Sequence, residues 1–188
     1  MLAERFEDLT VVEPLAEFIA HAARRVRAGV AFEQAFAEGF RTDRRFDTIM
    51  LTHVLEHVPD PVAMLRSLAG LLTDTGSLYV VVPNAQAPSR RIAAKMGLVA
   101  SLEGLSAADR AAGHRRVYTL ETLSKDADLA GVTARHTGGI FYKPLANFQM
   151  DALIGGPLIG SAFMEACYEL GREDPSSCAS IYIIVGRS

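Results

Sequence analysis

The chain alternates between runs of apolar residues and amphipathic stretches. Phe46 to Thr52 reads as a buried strand, and Leu78 to Val82 is almost continuously apolar before Pro83-Asn84 ends it. Ile181 to Val185 repeats that pattern near the end. Leu9 to Glu13, a short piece around Val30 to Phe32, and Val132 to His136 add further strands. Between them, apolar positions recur at helical spacing. Phe18, Ile19, Ala22 and Val26 mark a helix over Ala16 to Arg27, its last turn loaded with Arg24, Arg25 and Arg27 and stopped at Gly29. Val62, Leu65, Leu68 and Leu72 mark one over Pro61 to Leu72, with Asp60 as N-cap and Pro61 in the first turn. A turn is expected at Thr75-Gly76. Ser89 to Met96 forms a basic amphipathic helix, and Thr119 to Ala130 another, capped by Gly131. After a break at Gly155-Gly156-Pro157, helix is expected through Leu170. Fully apolar strands separated by helices predict an α/β fold whose parallel sheet is covered on both faces.

Composition narrows the class without naming a function. With 188 residues the chain has the length of one domain, and one domain over 1–188 is expected. Its net charge of −3 gives no electrostatic footprint for nucleic acid. No apolar run approaches a membrane span, and the N-terminus is charged from Glu4 onward. Cys167 and Cys178 read as reduced thiols. The expected setting is therefore cytoplasmic, with neither membrane nor nucleic acid as partner.

The densest chemistry lies in the stretch Phe46 to Pro61, which holds Phe46-Asp47-Thr48-Ile49, then Leu55-Glu56-His57, then Asp60-Pro61. Within it, His53-Val54-Leu55-Glu56-His57 also matches an inverted zinc-peptidase motif. That motif needs a helix through its length, whereas here it follows a strand directly and meets Pro59 and Pro61 within a turn. No metal is expected on this ground. A second cluster, Gly113-His114-Arg115-Arg116-Val117-Tyr118, precedes the helix that opens Thr119-Leu120-Glu121-Thr122-Leu123. A histidine there can take a proton from a hydroxyl or amine, and paired arginines can bind a carboxylate or phosphate. The alternative is a basic loop paired to Asp109 and Glu121. Arg90, Arg91 and Lys95 are expected on a solvated helix face, with a basic lid over an anionic substrate as the other reading.

These strings resemble class I S-adenosylmethionine-dependent methyltransferases, in particular small-molecule enzymes of the ubiquinone-biosynthesis O-methyltransferase type. The likeness runs from residue 1 to about residue 145 and again over the last strand. It departs at Thr73-Asp74-Thr75-Gly76, where the family carries a proline and a second glycine. The resemblance implies a Rossmann-like sheet ordered 3-2-1-4-5-7-6. On it, Glu13 is the acid that binds the cofactor's ribose, with Pro14 beside it. Phe36 and Ala37 flank the adenine, and Thr52, His53 and Val54 lie beside the methionine part and the transferred methyl. His53 and His114 are the implied catalytic groups. His57, Arg115, Arg116, Tyr118 and Tyr142 are expected to line the acceptor pocket, with Lys143 near them, and 85–118 to form an insertion or lid on the substrate side.

One family element has no counterpart in these residues. Complete members open with a strand and a glycine-rich turn whose backbone approaches the cofactor closely. This sequence begins after that turn, with Leu2 to Phe6 as the tail of the following helix. The domain is thus expected to be incomplete at its N-terminus, lacking strand 1 and its loop, and an open sheet centre favours a homo-oligomer. The activity implied is methyl transfer to oxygen or nitrogen of a small molecule. The alternative is a degenerate, non-catalytic relative that serves as a binding or assembly partner.

Overall fold

Leu78–Val82 and Ile181–Val185 pair with each other, because apolar residues on both sheet faces leave no side for water. Leu78, Val80, Val82, Ile183 and Val185 are fully buried. The computed structural model describes residues 2–26 and 29–187. The chain divides into two compact units, Met1–Arg44 and Arg45–Ser188.

The first unit contains α1 (Leu2–Arg5), β1 (Leu9–Val12), α2 (Ala16–Ala23), β2 (Val30–Glu33) and a 3-10 turn at Ala37–Gly39. β1 and β2 pair in parallel, Leu9 opposite Val30 and Val12 opposite Glu33. Arg44 reaches back to the start of β1, donating to Asp8 and to Thr10 Oγ1. The second helix is shorter than expected. Arg24 caps it, so Arg24 and Arg25 follow the helix instead of loading its last turn, while Arg27 lies outside the described residues.

The second unit begins with β3 (Phe46–Thr52), α3 (Pro61–Gly70) and β4 (Leu72–Pro83). Asp60 caps α3 by accepting from the Ala63 N–H at 2.9 Å. The expected turn at Thr75-Gly76 is instead an irregular stretch of β4: Phe46 pairs with Leu72 and Thr48 with Ser77. Glycine is required at position 76, since a Cβ there would stand 2.8 Å from the Phe46 carbonyl oxygen. Next come α4 (Pro88–Lys95), α5 (Ala107–Ala111) and α6 (Leu120–Ala130). Gly131 ends α6 at φ 78°, a left-handed position that glycine adopts without strain. β5 (Val132–Tyr142) runs six residues past the expected His136, because it pairs along the whole of the last strand. α7 (Asn147–Leu153) and α8 (Ser161–Glu173) split the expected C-terminal helix, the second starting only after Gly160. β6 (Cys178–Arg187) closes the unit.

Among the described residues, β3, β4, β6 and β5 form one sheet in that order. β3 and β4 are parallel, and β6 runs antiparallel to both neighbours. These are the expected 4-5-7-6 half of the Rossmann-like order, and β1-β2 is the expected 2-3 pair in a sheet of its own. β6 runs opposite to β3, β4 and β5. The end of β3, the end of β4, the end of β5 and the start of β6 therefore share one edge. That carboxyl edge carries the candidate site, as such folds place ligands there.

Candidate functional site

β3 ends at Thr52 and is followed by His53, whose N–H still donates to the Val81 carbonyl at 2.9 Å. His53 then turns the chain with φ 53°, a left-handed conformation that costs a non-glycine residue about 1–2 kcal/mol. The residues that follow form a tight turn and no helix, so the zinc-peptidase reading of His53 to His57 has no helix to stand on. The bend exposes the His53 ring at the sheet edge. Its Nδ1 lies 3.4 Å from Glu56 Oε1, and its Nε2 lies 3.4 Å from Ser180 Oγ at the start of β6.

Glu56 is only 1% exposed, enclosed with Leu55 and Val58. Its Oε1 faces His53 and stands 4.0 Å from His57 Nε2. Its Oε2 is buried without a hydrogen-bond partner among the described residues. The His57 ring meets His114 edge to face, with centroids 4.8 Å apart. His114 comes from the segment after α5. Its Nδ1 is also buried without a hydrogen bond, and the nearest acid, Asp109 Oδ1, is 3.4 Å away outside hydrogen-bonding geometry.

The two arginines after His114 hold this turn. Arg115 donates its backbone N–H to the Glu56 carbonyl at 2.8 Å and its Nε to the His57 carbonyl at 2.9 Å. Arg116 donates to the carbonyls of Leu55, Val58 and Pro59. Both guanidinium groups thus cap one turn's carbonyls instead of pairing with Asp109 and Glu121. Asp109 pairs with Arg90 at 2.9 Å. Arg90, 13% exposed, also donates to the Leu102 and Gly104 carbonyls, so it ties the 102–109 segment to α4 and does not lie on a wet face. Burial pushes the Asp109 carboxyl up, but donation from Ser106 and from Arg90 outweighs burial and holds it below the ordinary range.

The remaining expected site residues divide between the two units. In the first, Glu13 follows β1 and its Oε1 accepts from the Leu15 N–H at 2.9 Å. Gln34 donates to the Pro14 carbonyl, the Phe36 ring is 70% exposed, and Ala37 opens the 3-10 turn. In the second, Thr52 and His53 are exposed, Val54 is half-buried, and Tyr142 ends β5 opposite Cys178. Tyr118 stands apart from this exposed group. Its ring is 2% exposed and its hydroxyl donates to Asp126 at 3.0 Å, and burial followed by the Asp126 charge pushes the phenol well above its ordinary value. Burial likewise pulls the Lys143 ammonium down, offset in part by Asp151. The sequence marks Glu56 only as a member of its motif strings, without its burial, and does not mark Ser180. An acid between Leu55 and His57, in a turn rich in apolar residues, was the available signal for Glu56. Ser180 carried none, since only the antiparallel return of β6 brings it to His53.

Residues 1–137 match the family model described as a methyltransferase domain. The ubiquinone biosynthesis O-methyltransferase of Aeromonas salmonicida (strain A449) is 28% identical over 120 residues, which cover 62% of this chain and 48% of that protein. The chain thus spans about half the length of the curated relative it matches. An S-adenosylmethionine-dependent methyltransferase from Mesorhizobium loti superposes with a TM-score of 0.63 at 16% identity, over 96% of this chain and 81% of that one. Magnesium protoporphyrin IX methyltransferase from Synechocystis, solved with S-adenosylhomocysteine bound, gives 0.59 at 14% identity, over 100% and 67%. The two structures share the fold: an α/β, Rossmann-like methyltransferase sheet. With the family model spanning most of its length, the chain belongs to the methyltransferase domain family.

Proposed function

We propose that this chain is an S-adenosylmethionine-dependent methyltransferase acting on oxygen or nitrogen of a small molecule. The observation that carries the reading is His53, exposed at the carboxyl edge and backed by the buried Glu56 carboxylate 3.4 Å from its Nδ1. A carboxylate behind one ring nitrogen stabilises the imidazolium and orients the ring, leaving Nε2 to accept a proton. S-adenosylmethionine, when bound, supplies a methyl group on a sulfonium centre. The protein's own work is then to position the acceptor and remove its proton. His53 takes the proton from the acceptor hydroxyl or amine, and His114 is the second imidazole at this edge able to do so. His57 and Tyr142 border the acceptor, and Arg115 and Arg116 keep the turn that presents His53 in shape.

Glu13 fits the cofactor's ribose. It is a partly exposed carboxylate immediately after a parallel strand, where two hydroxyls can donate to it. Pro14, Phe36 and Ala37, in the same unit, would accompany it. Calorimetric titration with S-adenosylhomocysteine tests the reading. Saturable binding is expected, weakened by about 1–3 kcal/mol in Glu13→Ala through loss of charged hydrogen bonds. No heat up to millimolar ligand would favour the non-catalytic alternative, a methyltransferase-like chain that binds a partner.

A further inference from the structure

We infer that Asn84 is a positioning residue for His53: it fixes the first residues of β6 and so holds Ser180 against the imidazole. The inference rests on the methyl-transfer reading, in which His53 Nε2 takes the acceptor's proton. β4 ends at Pro83, and the chain then turns away into α4. The ladder between β4 and β6 ends there too, with Pro83 opposite Ser180, so Cys178 and Ala179 lie beyond it. The carbonyls of that stretch still need donors. Asn84 supplies them. Its N–H donates to the Ala179 carbonyl at 3.0 Å. Its Nδ2 donates to the carbonyls of Ser176 and Cys178, each at 2.8 Å.

Asn84 is itself held in place. Its Oδ1 accepts from the Gln86 N–H at 2.9 Å, and its carbonyl accepts from the Ala87 N–H at 3.2 Å. The neighbouring Ala85 N–H donates to the Tyr118 carbonyl at 2.7 Å. Asn84 is 5% exposed, and each of its polar atoms has a partner, as a buried amide requires. The position suits asparagine in particular. Aspartate lacks both side-chain donors, serine and threonine offer one each, and glutamine carries its amide a methylene further out.

The consequence falls on Ser180, the residue after the Ala179 carbonyl. Ser180 Oγ stands 3.4 Å from His53 Nε2, while Nδ1 of the same ring faces Glu56 Oε1. A carboxylate beside Nδ1 favours the proton there, which leaves the lone pair on Nε2 and makes the serine hydroxyl the group that donates to it. The ring is thus held at both nitrogens, and Nε2 points to where the acceptor's hydroxyl or amine takes the serine's place. Ile181 opposite Val82 fixes the strand after Ser180, and Asn84 fixes it before. Without Asn84, Ser180 keeps its pairing with Ile140 of β5 but loses its hold on the β4 side.

Acylation of histidines by diethyl pyrocarbonate, followed residue by residue with mass spectrometry, reads the Nε2 lone pair without an acceptor. Ser180→Ala should speed acylation of His53 at least about threefold, the reactivity that one neutral hydrogen bond withholds. Asn84→Ala should give the same gain, and the double variant no more than Ser180→Ala alone. Asn84→Ser, which keeps one donor, should give part of the gain and serves where Asn84→Ala fails to fold. His114, its side chain 15% exposed, should keep its rate, which a general loosening of the fold would raise. The inference is overturned by Ser180→Ala leaving His53 unchanged, by no gain in either Asn84 variant, by a gain that adds to that of Ser180→Ala, or by a gain shared with His114. Calorimetry with S-adenosylhomocysteine on the same proteins keeps the two readings apart: absence of binding sinks the methyl-transfer reading, and the acylation rates alone decide the link from Asn84 to His53.

Discussion

The two units of this chain make the same kind of secondary structure and differ in what it buries. In the first unit β1 and β2 pair in register, but every β1 residue is only partly buried and α2 buries none. Phe18 on α2 is 56% exposed and Leu15 before it 47%. In the second unit α3 buries Met64, Leu65, Leu68 and Ala69, and β4 buries every second residue from Ser77's neighbour Leu78 to Val82. Hydrogen bonding alone thus suffices to define a parallel pair, whereas a core needs apolar faces that meet. The carboxyl-edge cluster belongs to the second unit, and that core is what holds His53, Glu56 and Ser180 in place.

Substitutions can break this comparison, and the largest effect is expected at the sheet centre. Ile183→Ala removes a fully buried side chain between β4 and β5 and should cost about 2–5 kcal/mol in urea unfolding. Phe18→Ala, its counterpart in the first unit, should stay within about 0.5 kcal/mol, as surface changes do. Equal losses would abolish the contrast. A smaller effect is expected at the entry to α3. Asp60→Ala leaves the Ala63 N–H without its cap and should cost about 1 kcal/mol in the same assay, with Asp60→Asn retaining most of the stability.

The smallest effect is a pH response confined to the segment that carries His114. The Asp109 carboxyl is held below its ordinary value in the fold, so its contribution is present above the unfolded value near 3.8 and fades as pH falls through the lowered one. Amide exchange over residues 106–113 should therefore rise at the acid end of that window before the sheet loosens. Asp109→Asn should flatten the response. An unchanged profile in that variant would remove Asp109 from the account.

Much of this fold was legible because its signals are local. The bounds of β3 and the caps Asp60 and Gly131 follow from single residues and their neighbours. The errors fell where pairing overrides local preference. Thr75-Gly76 reads as a turn, yet the ladder to β3 carries it as an irregular strand. β5 outruns its apolar stretch because β6 offers partners as far as Tyr142 opposite Cys178. Arg90 reads as a solvated charge, but the 102–109 segment folds over it and supplies three acceptors.

The same division applies to the site. His53, His57 and His114 stand out in the sequence because they fall in strings that resemble the family, which are recognisable from order alone. Their grouping is not, since 57 residues separate His57 from His114, and only the carbonyl contacts of Arg115 and Arg116 draw the two segments together. The burial of Glu56 is likewise a property of the packed turn. By itself, then, the sequence determined the order of strands and helices and the family. The tertiary structure alone decided that Glu56 is buried, with Oε1 facing His53 and His57 and Oε2 without a partner among the described residues, because desolvation and charge proximity exist only once distant segments close around it.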